Sequence, residues 1–228
     1  MCILFLYNGT HDAQSDYSLI LVSNRDELYD RPTVSMAPWT EDPNVYGGFL
    51  PTPMGKRREF MYVCMYVFLG RGNVVADFIT SDTPVKAYIE QIKNYTNNCN
   101  GFIFVSTESS GPTISSYSNI NDQLTTHEDT CIGFGNTLPE SPLKKVEAGR
   151  NKLKEICSTL NKLSKQGELV NKLIELLKWD ESGLSGHKEL RKPQIKKYMW
   201  TFSSKPGSTS LGCPVSSSCL FNYPKQFQ

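Results

Sequence analysis

Near the start of the chain, apolar residues come in short unbroken runs; further along they recur at helical spacing. Cys2 to Tyr7 and Ser18 to Ser23 are two such runs, and their lack of alternation predicts strands covered on both faces. The polar stretch 8–17, with Gly9 in it, reads as the loop between them. A symmetric hairpin pairs residues whose numbers sum to 25: Ile3 with Val22, Leu4 with Leu21, Phe5 with Ile20, Leu6 with Leu19. A loop of that length fixes register poorly, so a slip of a residue or two is tolerated. Val45 to Leu50 and Phe60 to Leu69 have strand composition as well.

Helical spacing begins after Gly70-Arg71-Gly72, with Val74, Val75, Phe78 and Ile79 on one face. Thr83-Pro84 reads as the N-cap and first-turn proline of a second helix, whose stripe is Val85, Tyr88, Ile89, Ile92 and Tyr95. Gly101 to Ser106 returns to strand character, and Ile114 to Tyr117 and Cys131 to Phe134 are weaker strands. Ser141-Pro142 opens the longest helical pattern, carried by Val146, Leu153, Ile156, Leu160 and Leu163. Gly167 is expected to break it before a second stripe of Leu169, Val170, Leu173, Ile174 and Leu177, giving a helical hairpin with a solvated, Lys-rich outer face. No repeat is visible. Residues 1–200 are expected to form a single domain, and 201–228, rich in Ser, Pro, Gly and Cys, an irregular or disordered tail.

Composition narrows the classes. With 24 basic against 23 acidic residues among 228, nothing suggests a nucleic-acid footprint or a polybasic membrane surface. The longest apolar stretches are too short for a transmembrane segment, and the opening run lacks the flanks of a signal peptide. The seven cysteines are scattered, with no C-x-x-C pair, which argues against a zinc site and a disulfide framework alike. The expectation is a cytoplasmic protein with no metal. Asn8-Gly9-Thr10 and Asn94-Tyr95-Thr96 fit the N-glycosylation pattern, which is inert in that compartment.

Candidate chemistry concentrates at the chain start. The hairpin brings Cys2 close to Asn24-Arg25-Asp26-Glu27. If the initiator Met1 is removed, Cys2 carries the free α-amine. That amine, with a pKa of roughly 7.7–8.0, can take the proton of a thiol near about 8.5, so one residue supplies nucleophile and base. Arg25 could hold the thiolate, and Asp26 could accept from the ammonium, provided the strand turns at Asn24. The plainer readings are a structural thiol at Cys2 and a solvated turn with a weak ion pair at 25–27. Asn136, after a strand, could donate to an oxyanion, although turn formation explains Gly135-Asn136 equally well. Cys213-Pro214 invites a haem-thiolate reading, against chance occurrence in a Ser/Pro/Cys-rich tail. His11, His127 and His187 are isolated in polar sequence and read as exposed.

The opening Met-Cys-Ile-Leu-Phe-Leu-Tyr, followed by Leu-Ile-Leu-Val-Ser-Asn-Arg-Asp-Glu-Leu-Tyr-Asp-Arg-Pro, resembles the signature of the transport and Golgi organization protein 2 family. Gly70-Arg71-Gly72, Asn100-Gly101-Phe102, Gly135-Asn136-Thr137-Leu138 and Glu140-Ser141-Pro142 are similar too. The likeness is strong over 1–33, patchy from 70 to about 178 and not seen beyond. It implies an α+β fold, an αββα four-layer sandwich resembling N-terminal nucleophile hydrolases. Two departures stand out: the stretch Gly55 to Phe60 fits poorly, and the family's closing strands are expected to be missing, which would leave a sheet edge unpaired.

The resemblance implies a factor in secretory-pathway and Golgi organisation, lipid homeostasis or intracellular haem mobilisation, associated with the Golgi or mitochondrion. Its partner would be a hydrophobic small molecule, haem or lipid, with haem a transported ligand and no cofactor required. The fold analogy implies instead an amidohydrolase of linear C–N amide bonds acting through Cys2, Arg25, Asp26 and Asn136. Fold alone is a weak guide to activity.

Overall fold

The computed structural model describes residues 3–28, 37–38, 46–47, 62–65, 72–81, 83–107, 113–178 and 195–204. The fold class is α+β. In chain order the elements are β1 (Ile3–Asn8), β2 (Leu19–Leu28), β3 (Ala37–Pro38), β4 (Tyr46–Gly47), β5 (Tyr62–Met65), α1 (Gly72–Thr80), α2 (Val85–Thr96), β6 (Ile103–Thr107), β7 (Ile114–Ser118), β8 (Gln123–His127), β9 (Cys131–Phe134), α3 (Lys144–Leu160), α4 (Gln166–Lys178) and β10 (Ile195–Ser204). They group into two compact units: Met1–Pro32 with Asp129–Gln228, and Thr33–Glu128.

The first unit is built on a four-stranded sheet of order β10-β2-β1-β9, with every neighbouring pair antiparallel. Phe5, Tyr7, Ile20, Val22 and Cys131 share one face and pack with Val146, Leu153, Cys157 and Leu160 of α3 and Leu169, Leu173, Leu176 and Leu177 of α4. Leu4, Leu6, Leu19, Leu21, Ile132 and Phe134 on the opposite face are buried as well. Burial on both sides is why β1 and β2 read as continuous apolar runs. Gly149 lets α3 lie close to the sheet, because a Cβ there would come 2.2 Å from Phe5 Cζ.

The loop between β1 and β2 is tied to the corner between α3 and α4. The Asp12 carboxylate accepts from the Tyr7 hydroxyl (2.8 Å), the Gln14 backbone N–H (2.9 Å) and the Asn161 side-chain amide (2.9 Å). Those donors, Tyr7 foremost, hold its carboxyl below the ordinary range. Asp16 accepts from the Leu163 N–H (2.9 Å), which lowers it likewise.

The second unit carries a sheet of order β5-β6-β7-β8, also antiparallel. Phe102, Phe104 and Tyr117 pack with Val74 and Phe78 of α1 and Tyr88 and Ile89 of α2. The Phe78 and Phe104 rings meet edge to face at 5.2 Å. The Asn119 side chain closes the end of α2, donating to the Thr96 carbonyl (3.0 Å) and accepting from the Phe102 N–H (2.7 Å). A bridge between β3 and β4 forms a separate short pair.

Several sequence expectations are revised. The hairpin register is Ile3 with Asn24 through Asn8 with Leu19, so paired numbers sum to 27, a slip of two residues from the symmetric case. Pro84, not Thr83, is the N-cap of α2, and no side chain caps it. The break between α3 and α4 falls at 161–165, leaving Gly167 inside α4 and Leu163 in a short 3-10 turn. Three strands were not anticipated, the first being the two-residue β3. β8 is a polar edge strand, and β10 lines the free edge of β2 over ten residues. The sheet edge expected to stand unpaired is therefore covered, and regular structure runs to Ser204, past the expected start of an irregular tail at Thr201. The rest of that tail, from 205 on, and most of the strands expected at 45–50 and 60–69 lie outside the described residues.

Candidate functional site

Register across the first sheet defines one of its ends. Leu4 pairs with Ser23 on one side and Phe134 on the other, while Ile3 pairs with Asn24, which pairs with Met199. The start of β1, the Asn24-Arg25 step of β2 and the last residue of β9 thus share one end. Ser23 Oγ donates to the Ile3 carbonyl there (3.2 Å). Gly135 and Asn136 follow β9 directly, with Asn136 exposed. A Cβ on Gly135 would meet Val146 Cγ2 at 2.7 Å, so the chain leaving β9 lies against α3. The Thr137 hydroxyl next along is buried without a hydrogen-bond partner.

The sequence-predicted residues fall as follows. Arg25 and Asp26 lie in β2, opposite Tyr198 and Lys197 of β10. The turn at Asn24 that would bring both onto Cys2 is not there, because the ladder with β10 runs unbroken from Leu19 to Leu28. In a regular ladder consecutive residues alternate between faces. Asn136 is at the same sheet end as the start of β1. Cys2 itself, Cys213-Pro214 and His187 lie outside the described residues.

Burial pushes Cys131 up to about 11 and raises Cys157 further still, so both stay protonated at neutral pH and neither suits a nucleophile. His127, read as exposed, is half-buried, with Nε2 2.7 Å from the buried Ser116 hydroxyl. Sequence reasoning missed that contact because it crosses strands diagonally. Asn8 of the first glycosylation triplet is buried in β1, and Thr96 of the second is fully buried at the end of α2. Among the described residues no helix is long and apolar enough to cross a membrane.

These features define an α+β protein whose second strand carries Asn-Arg-Asp-Glu beside the first. The family model described as Transport and Golgi organisation 2 matches residues 1–51 and 66–205. Transport and Golgi organization protein 2 of Drosophila melanogaster is 30% identical over 205 residues, covering 78% of this chain and 72% of that protein. The Transport and Golgi organization protein 2 homolog of Bos taurus is 27% identical over 236 residues, and that of Homo sapiens 26% over 241; each alignment spans 94% of this chain and 84% of the relative. The chain belongs to the transport and Golgi organization 2 family. The match reaches residue 205, so the likeness does not stop near 178, and β10 lies within it. It omits 52–65, where the poorly fitting stretch Gly55 to Phe60 falls.

Proposed function

We propose that this chain acts in transport and Golgi organisation as a binding factor for a hydrophobic small molecule, haem or lipid, in the cytoplasm at the Golgi or mitochondrial surface. Family membership across both units carries the reading, and the relatives' names give its cellular setting. Each unit is a sheet with helices on one face and buried apolar residues on the other, as the layers of an αββα sandwich would require. In cells depleted of their own family member, the chain should restore Golgi morphology and secretory transport. The purified protein should bind haemin or fatty-acyl probes saturably, and Cys2→Ala should leave that binding intact. Failure of both rescue and binding would overturn the reading.

A second reading rests on the sheet end. Ile3, which follows Cys2 in the sequence, pairs with Asn24, the residue before Arg25. With Met1 removed, the Cys2 thiol would add to an amide carbonyl and its α-amine would carry the proton to the leaving amine. Water would then hydrolyse the thioester. Asn136 would donate to the oxyanion. Separate Arg25→Ala and Asp26→Ala variants would tell which of the two serves Cys2. Intact mass showing a retained Met1 would end this reading. An acyl adduct on Cys2 from amide substrates, lost in Cys2→Ala, would favour it.

A further inference from the structure

The chain holds two Asn-Gly pairs, Asn8-Gly9 with its asparagine buried and Asn100-Gly101 with its asparagine exposed. We propose that Asn100 is a site of spontaneous deamidation, with water as the only co-reactant, and that the fold protects Asn8 from the same reaction. The Gly101 backbone nitrogen attacks the Asn100 side-chain carbonyl carbon, forming a C–N bond and closing a cyclic imide. The side-chain nitrogen leaves as ammonia, taking up the proton that Gly101 gives up. Water then opens the imide at either carbonyl, leaving aspartate or isoaspartate. Glycine favours the attack because no Cβ crowds the approach.

Asn100 is exposed, and residues 100–102 lie outside helix and strand. Asn8 is only 1% exposed. Its Oδ1 accepts from the Thr10 N–H (3.2 Å) and hydroxyl (2.6 Å). The Gly9 nitrogen that would have to attack is held in a 2.9 Å bond to the Ser18 carbonyl. The product at 100 matters because isoaspartate lengthens the backbone by a methylene where Asn119 joins α2 to β6. There the Asn119 amide reaches the Thr96 (3.0 Å), Cys99 (3.4 Å) and Asn100 (3.4 Å) carbonyls. Conversion should loosen that joint, making Asn100 a clock for the age of the molecule.

The test incubates the full chain at mildly alkaline pH, then maps peptides by mass spectrometry with isoaspartyl methyltransferase labelling as the probe. In the folded chain the peptide holding Asn100 should convert, mainly to isoaspartate, while that holding Asn8 stays unchanged; in denaturant both should convert. The converted fraction should melt below the unmodified one, and Asn100→Gln should remove the methyl-accepting signal. An unchanged Asn100 in the folded chain, or Asn8 converting as fast, would overturn the proposal. So would an Asn8 that resists in denaturant, since the contrast would then not come from the fold.

Discussion

Gly149 and Gly167 are both helical glycines, yet replacing each with alanine should have opposite effects. Alanine gains about 1 kcal/mol over glycine from helix propensity. At Gly149 the new Cβ would meet the Phe5 ring at 2.2 Å, and overpacking costs typically about 1–3 kcal/mol. At Gly167 nothing lies within 4 Å of the new atom. Denaturant unfolding should therefore show Gly149→Ala destabilised and Gly167→Ala stabilised by roughly 0.5–1 kcal/mol. Asp12 gives a pH prediction. Its hydrogen bonds hold the folded pKa below the unfolded value, so its contribution is present above the unfolded pKa and fades as pH falls through the folded one. Asp12→Asn should flatten the acid limb of the stability profile, read by thermal melts from neutral pH down to strongly acidic pH. At this scale the Asn-Arg-Asp-Glu tetrapeptide was legible in the sequence. The roles of Asp12 and Asn119 were not, because their partners Asn161 and Thr96 lie far off in the chain.

Elements with a sustained period were readable; those defined by a partner were not. α2, α3 and α4 announced themselves through stripes that the structure buries wholly or in part, although Tyr95 at the end of the α2 stripe is exposed. The β1–β2 pairing was right in direction but two residues out in register, as a long loop allows. β8 has too few apolar residues to signal a strand, and β10 opens with a pair of lysines after Ile195. Its later Tyr198, Trp200, Thr201 and Phe202 are strand formers, the one signal that could have found it. Ending the chain at Trp200 removes the partners of Leu19, Ile20, Leu21 and Val22. Such a truncation should melt lower and aggregate more readily than the chain ending at Ser204, as light scattering during thermal unfolding would show. Asn119→Ala should cost about 1–3 kcal/mol by leaving carbonyls at the end of α2 and the Phe102 N–H without that partner.

For the molecule as a whole, the class was legible and the division was not. The family resemblance implied α+β, but nothing in residues 28–37 or 127–131 marks the seams between the units as linkers, since neither is rich in glycine or serine. The seams follow from pairing: the first sheet takes β1 and β2 from the chain start and β9 and β10 from beyond residue 128, while the second unit uses the sequence between them. That nesting sets an order of events during synthesis. On the ribosome, the inner unit has its whole sequence available once Glu128 has emerged and can collapse on its own. The outer unit must hold its β1–β2 hairpin with both edges open until β9, and then β10, are made. Through that interval the nascent chain exposes the apolar strand Leu19 to Val22 with no neighbour on one side, the segment a chaperone would be expected to shield.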